Sequence, residues 1–165
     1  MNPTDVRPYL YEVDYSVPMK VEVDPMATRS RVGTHCPVAG EPGRWVRCAD
    51  EEAGKGWLVY GTEVDVYPGR FVVRVELVAE GAEAEDKVAT VDVAFADGAG
   101  QLGATSVYGV AGRQEVLVEF EVEEWTAVEP RVFYQGRGAV AVWSIGVEEV
   151  TGAPGSASAS VSSMK

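Results

Sequence analysis

The side chains best suited to ligand chemistry are a tryptophan and its arginine neighbours in a Pro/Gly-containing stretch. Trp45 follows Arg44 directly and precedes Arg47 by two residues. An indole ring stacks well on the apolar C–H face of a sugar, and planar polar groups bridge neighbouring hydroxyls. We expect this stretch to be a surface loop, so Arg44 and Trp45 are candidate carbohydrate-binding residues. The alternative is that Trp45 caps one end of the hydrophobic core.

A second candidate cluster lies near the C-terminal end of the chain. Strand parity puts Arg131 and Gln135 on one face and Tyr134 on the other. We expect an exposed polar surface here. The predicted sugar-binding side chains are Arg131, Tyr134, Gln135 and Arg137. The alternative for Arg131 is an ion pair with Glu129 or Asp92 on a polar sheet face.

A third candidate surface is a shallow groove formed by the polar faces of alternating strands. The side chains expected to line it lie opposite the buried valines: Arg70, Arg74, Thr90 and Asp92. The alternative is that these charges only solvate the sheet and protect its edges.

Metal and redox chemistry depends on few residues. Cys36 and Cys48 bracket the stretch that holds Trp45, and three states are open: reduced thiols, a local disulfide, or metal ligands together with His35. As metal ligands, these residues would supply only three nitrogen and sulfur donors, which is one fewer than a tetrahedral zinc site needs. Calcium needs oxygen ligands, and Asp65, Asp92 and Asp97 are candidates. Because no spacing defines a calcium site, we predict no cofactor.

Composition excludes several classes of function. The single histidine has no serine or cysteine partner in a nucleophile-elbow context, and no phosphate-binding glycine loop is present, so we predict no enzyme activity. The 26 acidic residues against 14 basic ones, with a net charge of −12, disfavour nucleic-acid binding. Apolar runs are only a few residues long, which predicts no membrane insertion. No signal peptide is predicted either, although export within a larger assembly leaves no such mark, so location is open and a virion or particle surface is one possibility.

The elements that must position these side chains are strands. Valine-rich segments alternate apolar and polar residues with a period of two, which is typical of half-buried strands. The predicted strands cover residues 19–24, 57–60, 63–67, 70–77, 90–95, 115–122, 131–135 and 139–150. Turns are expected at residues 67–70, and hairpin connections at 97–100 and 135–138. Residues 80–87 are expected to form a solvated loop.

This pattern predicts an all-β protein with two antiparallel sheets packed as a β-sandwich. Parity within the closing strand predicts that Trp143 is buried. We assign residues 19–150 to the sandwich domain, residues 1–18 to an extended tyrosine-bearing arm and residues 151–165 to a flexible Gly/Ala/Ser-rich tail. An arm and a tail of this kind predict that both termini contact neighbouring protein subunits. They therefore favour, as an alternative function, a structural subunit of a phage-like particle or surface appendage.

The order of motifs resembles the galactose-binding-like jelly-roll domains. A strand ending in Tyr60-Gly61 is followed by a short strand, a Pro-Gly turn and the aromatic-led strand at residues 70–75. Residues 90–94 are similar to the central strand of these domains, and residues 129–132, Gly136 and the closing strand at residues 140–147 to their final hairpin. The resemblance implies jelly-roll topology and non-catalytic binding of a glycan or polysaccharide. The leading hypothesis is therefore a carbohydrate-binding module that attaches to a glycan or cell surface.

Overall fold

The computed structural model describes residues 17–150, which form strands joined by turns and two short 3-10 helices. The strands are β1 (Lys20–Val23), β2 (Thr34–Pro37), β3 (Trp45–Ala49), β4 (Gly56–Val59), β5 (Val64–Val66), β6 (Gly69–Glu80), β7 (Lys87–Phe95), β8 (Gly100–Tyr108), β9 (Gly112–Val122), β10 (Thr126–Tyr134) and β11 (Ala139–Glu149). The 3-10 helices are Pro25–Ala27 and Glu51–Ala53. No helix within this part of the chain is long and apolar enough to cross a membrane.

Two antiparallel sheets form the sandwich. Sheet I has the order β2-β3-β11-β6-β9, and β1 also pairs with β11. Sheet II has the order β4-β10-β7-β8, and β5 also pairs with β10. Consecutive strands often lie in different sheets, for example β10 in sheet II and β11 in sheet I. Many connections therefore lead from one sheet to the other. The predicted all-β, two-sheet antiparallel sandwich is confirmed.

The core between the sheets is built mainly from valine, because a β-branched side chain packs well on a pleated surface. Alternate residues of the long strands point inward, and β6 shows an unbroken alternation of buried and half-buried positions. The largest fully buried side chains include Tyr134, Phe71, Leu58, Leu77 and Ile145.

The strands predicted from apolar alternation are all present, with ends that differ by a few residues. Three strands lack that signal and were not predicted: β2, β3 and β8. The stretch between the cysteines is therefore a β2–β3 hairpin rather than a loop, and Arg44 lies in its turn. The hairpin expected at residues 97–100 does connect paired strands, β7 and β8.

Two expectations about how the strands are connected and arranged are wrong. Residues 135–138 connect strands of different sheets, so they are a crossover and not a hairpin turn. The expected groove of Arg70, Arg74, Thr90 and Asp92 does not exist, because the two arginines lie on β6 of sheet I while the other two residues lie on β7 of sheet II. Alternation in the sequence indicates whether a side chain points toward the core or toward solvent, but it does not indicate which sheet the strand belongs to.

The loop between β6 and β7 contains no regular helix, in agreement with the sequence. The predicted tail at residues 151–165, and all but the last two residues of the predicted arm at residues 1–18, lie outside the described residues.

Candidate functional site

A groove opens along one edge of β11, beside Trp45. β1 pairs with residues 145–148 of β11 and β3 with residues 140–142, so neither strand pairs with Trp143 or Ser144 on this edge. The resulting gap has a volume of about 660 Å³. We call it the Trp45 groove; its lining residues are Asp24, Pro25, Met26, His35, Gly43, Arg44, Trp45 and Trp143.

Trp45 is the most accessible aromatic ring in the groove, with 50% of its surface exposed. It begins β3 opposite Pro37, directly after a turn that is closed by a hydrogen bond from Val38 N to Arg44 O (2.9 Å). No ring or cation contact of Trp45 occurs within residues 17–150. An indole with this exposure does not cap the core, and half of its surface faces solvent.

Trp143 was expected to be buried, and this expectation is wrong. The register between β11 and β6 shifts between Val142 and Ser144, so Trp143 occupies a β-bulge. A bulge inserts one residue and reverses the alternation that follows it. Val140 and Val142 face the core before the bulge, whereas Ile145 faces it afterwards. Trp143 is thereby half-buried at the groove.

Two arginines stack on Trp143. The Arg44 Cζ atom lies 4.8 Å from the centroid of the ring, and the Arg113 Cζ atom lies 4.6 Å from it. Arg44 also contacts Glu41 at 3.0 Å, and Arg113 contacts Glu76 at 3.7 Å. Stacking on an indole holds a guanidinium in a defined plane. Trp143 therefore orients both arginines, of which Arg44 lines the groove.

Arg47 is buried beneath this surface and does not line the groove. Its Nη2 donates to the carbonyl oxygens of Thr28 (2.6 Å) and Met26 (3.4 Å), on either side of Ala27. Its Nε has no hydrogen-bond partner. These contacts hold the 3-10 helix Pro25–Ala27, which lines one side of the groove. Asp24 caps that helix by accepting a hydrogen bond from Met26 N (2.9 Å).

A disulfide joins Cys36 and Cys48 across the hairpin, with a Cα–Cα distance of 6.1 Å. Of the three states considered for these cysteines, the structure has the disulfide. The bond is diagonal, because Cys36 lies opposite Val46 in the register and Cys48 lies opposite Thr34. It ties the edge strand β2 to the strand that carries Trp45.

The second predicted cluster lies elsewhere, on the outer face of sheet II. Arg131 donates to both carboxylate oxygens of Asp92 (2.9 and 2.6 Å) and stacks on Trp57, 4.3 Å from the ring centroid. This is the ion-pair alternative considered for Arg131. Gln135 Nε2 donates to Thr90 Oγ1 at 3.3 Å. The structure thus separates this cluster from Arg44 and Trp45, which belong to sheet I.

Two further predicted residues have different surroundings. Tyr134 was expected to be exposed, but it is fully buried between the sheets and its hydroxyl donates to Gly138 O. Its parity with Val132 already indicated this burial. Arg137 is exposed in the crossover and contacts Asp86 at 3.5 Å. Of these two side chains, only Arg137 is accessible to a ligand.

The calcium candidates do not form a cluster. Asp92 is engaged by Arg131, Asp65 lies on β5, and Asp97 lies in the β7–β8 turn. Within residues 17–150, no group of three or more His, Cys, Asp or Glu side chains is arranged to hold a metal ion.

Of the eight residues that line the groove, the sequence analysis identified Arg44 and Trp45; Trp143 and His35 are the missed residues that carry rings. Trp143 was assigned to the core because its bulge leaves no trace in the apolar pattern. His35 was considered as a metal ligand and as a catalytic base but not as a groove residue, since the β2–β3 pairing that brings it to the groove shows little apolar alternation.

Comparison with known proteins reveals the fold but no close relative. No family model matches the sequence, and no curated protein matches it. Among solved structures, the C-terminal CBM6 of the laminarinase LamC from Zobellia galactanivorans has a TM-score of 0.59 at 13% identity, covering 79% of this chain and 100% of that module. The carbohydrate-binding module CBM6cm-2 from Cellvibrio mixtus lichenase 5A, solved with cellotriose, has a TM-score of 0.59 at 12% identity, covering 79% of this chain and 98% of that one.

A third similar structure is the CBM35 from Cellvibrio japonicus Abf62, with a TM-score of 0.54 at 13% identity, covering 82% of this chain and 95% of that one. At such identities the likeness concerns the backbone architecture, and fold alone does not imply function. The chain has the jelly-roll β-sandwich fold that is found in these carbohydrate-binding modules.

Proposed function

We propose that this protein is a non-catalytic carbohydrate-binding module that contacts its glycan in the Trp45 groove. The observation that carries the proposal is the half-exposed ring of Trp45 in an open groove bordered by polar side chains. The indole face provides an apolar platform for the C–H face of a sugar ring. Arg44 and His35 provide hydrogen-bond donors beside it for hydroxyl groups.

Binding fits this groove better than hydrolysis does. Glycoside hydrolysis requires two carboxyl groups about 5–10 Å apart across the scissile bond. The groove lining contains one carboxylate among the described residues, Asp24, and that side chain caps a 3-10 helix. A module of this kind attaches its carrier to a glycan or cell surface, and weak single contacts suffice where many copies act together.

We propose a lesser role for the second cluster. Gln135 and Arg137 remain accessible enough to donate to sugar hydroxyls, whereas the guanidinium of Arg131 is engaged by Asp92 and Trp57. The alternative function, a structural subunit of a particle or appendage, depends on the two termini, which lie outside the described residues. It stays a prediction.

Affinity electrophoresis against a panel of soluble polysaccharides, followed by titration calorimetry with the polymer bound best, tests the proposal. Trp45→Ala should weaken binding about tenfold or more, because it removes a central aromatic contact. It should shift the melting temperature by less than about 2 °C, since the ring lies outside the core.

Trp125→Ala is the matched control. Trp125 is 48% exposed, nearly the same as Trp45, but it lies after β9 and packs edge-on against Tyr67. It should retain wild-type affinity. Equal losses in both variants would show that the Trp45 groove is not the binding site, and a wild-type protein that binds no polysaccharide would reject the function itself.

A further inference from the structure

The β2–β3 hairpin is positively charged although the protein is strongly acidic. The whole chain carries a net charge of −12. Residues 34–49 contain Arg44, Arg47 and His35 but a single carboxylate, Glu41. Arg113 of β9 joins them through its contact with Trp143. Basic groups are therefore concentrated around the groove, whose lining contains Arg44, His35 and one carboxylate, Asp24, which caps the 3-10 helix.

The charge of Arg47 lacks a carboxylate partner. The residue is only 8% exposed, its Nη2 donates to neutral carbonyl groups, and it forms no ion pair within residues 17–150. A buried cation without a counter-charge is costly, because the desolvation penalty is not offset by Coulomb attraction. One of its acceptors, Met26, lines the groove, and so does His35, which lies opposite Arg47 in the register. A negative group bound in the groove would offset part of this cost.

Arg44 lines the groove and is able to contact such a group directly, and Arg113 stacks on Trp143, which also lines it. A guanidinium that stacks on a ring keeps its N–H groups in its own plane, where they fit the two oxygens of a carboxylate or sulfate. Their present partners are weak competitors, because exposed ion pairs contribute at most about 1 kcal/mol. The side chains of Arg44 and Glu41 are 41% and 46% exposed, and the Arg113–Glu76 contact is long at 3.7 Å.

From these charges we infer that the Trp45 groove is selective for acidic glycans, whose sugars carry a carboxylate or a sulfate ester. Trp45 stacks on the sugar ring and Arg44 holds the anionic group, while Arg113 beside Trp143 and the buried Arg47 add positive charge nearby. This inference rests on the proposed function and adds the class of ligand. The net negative charge of the chain repels a polyanion at long range, but that repulsion is screened beyond about 8 Å at physiological ionic strength.

The experiment compares each acidic polymer with its own neutral derivative, in 0.15 M NaCl at about physiological screening. One pair is polygalacturonate and its carboxyl-reduced form, and the other is a sulfated galactan and its desulfated form. We expect at least one acidic polymer to bind about tenfold or more tightly than its neutral counterpart, as for a charge-assisted hydrogen bond. The pair that shows the preference identifies carboxylate or sulfate as the recognised group.

Variants assign the preference to the arginines. Arg44→Gln should lower affinity for the acidic polymer about tenfold more than it lowers affinity for the neutral derivative, because it removes the charge as well as donors to hydroxyl groups. Arg113→Gln should reduce the preference for the acidic polymer by a smaller factor, since Arg113 acts through its charge beside Trp143. Arg44→Lys, which keeps the charge, should retain part of the preference. Lys87→Gln is the control, because it removes one positive charge from the exposed start of β7 in sheet II. Thermal melts of each variant check that the fold is intact.

The possible failures are distinguishable. If neutral polymers bind as tightly as their acidic counterparts, the inference is wrong and the proposed function stands. If the acidic polymer is preferred but the preference survives both Arg→Gln variants, the groove is not its origin and the inference is also wrong. If no polymer of either kind binds, the proposed function fails together with the inference.

Discussion

Arg131 illustrates how one buried ion pair organises the outer face of sheet II. Its guanidinium stacks on Trp57 and donates to both oxygens of Asp92, which is 4% exposed and also accepts a hydrogen bond from Gln101 Nε2 (2.9 Å). The hydrogen bonds to Asp92 raise the pKa of Arg131 above its usual value, and the negative charge of Asp92 adds to this effect. The pair is thus a structural unit of the sheet.

Asp92→Asn should lower the free energy of unfolding by about 2–4 kcal/mol, because it leaves the largely buried Arg131 without a counter-charge. Glu41→Gln, which breaks the exposed pair with Arg44, should cost less than about 1 kcal/mol. Urea denaturation of both variants measures the difference. Similar losses would mean that burial does not distinguish the two pairs.

The β2–β3 hairpin is the element on which the proposed site depends. It lies at the edge of sheet I and is short, and its inner side contacts the 3-10 helix through Arg47. The Cys36–Cys48 disulfide closes a loop within this hairpin. A cross-link stabilises chiefly by restricting the unfolded chain, and it also limits how far an edge strand can separate.

Replacing both cysteines with serine should lower the free energy of unfolding by about 2–3 kcal/mol, as expected for a loop of this length. It should also weaken glycan binding, since Trp45 lies on the same hairpin. Urea denaturation with and without dithiothreitol measures the first effect. Reductant should destabilise the wild type and leave the double variant unchanged; a wild type that is insensitive to reductant would contradict the role of the bond.

On the scale of the whole molecule, the crossover from β10 to β11 ties the two sheets together. Tyr134 lies fully buried at the end of β10, and its hydroxyl donates to Gly138 O just before β11 begins. Glu51 accepts a hydrogen bond from Gly138 N at 2.8 Å, so the crossover is also anchored from the β3–β4 connection. Burial raises the pKa of Tyr134 to about 12, and the negative charges of Glu51 and Asp50 add to the shift.

This shift makes stability depend on alkaline pH. Tyrosine in the unfolded chain has a pKa of about 10. Between pH 10 and 12 the hydroxyl therefore loses its proton in the unfolded state but keeps it in the folded state, which favours unfolding. Below pH 10 the hydroxyl is protonated in both states and has no effect on stability. The free energy of unfolding should fall by about 2–3 kcal/mol across this range. Tyr134→Phe should lack this component. Parallel urea denaturation curves from pH 9 to 12 test it, and identical pH profiles of the two proteins would contradict it.

The strands that could be predicted from the sequence are those with one apolar face buried in the core. Val73 and Val75 of β6, like Val91 and Val93 of β7, alternate clearly because one side of the strand is buried. The edge strand β8 lacks this pattern, since many of its residues are small and only Val107 is buried. Gly103 even requires the absence of a side chain, because a Cβ there would lie 2.7 Å from Glu119 O.

The proposed site was predicted in part. Arg44 and Trp45 were identified from residue type alone, and both line the groove. Trp143 and His35 were not identified as part of it, because a β-bulge places Trp143 there and the β2–β3 hairpin, which shows little apolar alternation, places His35 there. The neighbours of Arg131 include Trp57, which is far away in sequence and reaches it through the pairing of β4 with β10.

The amino-acid order by itself determined that this chain forms an antiparallel sandwich, because alternation is a local property that dictates which side of each strand is buried. The tertiary structure alone decided which side chains share a surface. Arg74 and Asp92 follow the same local pattern yet lie on opposite sheets, and Trp143 faces outward because one extra residue interrupts its strand. Sheet membership and register arise from hydrogen bonds between distant segments, which local spacing does not encode.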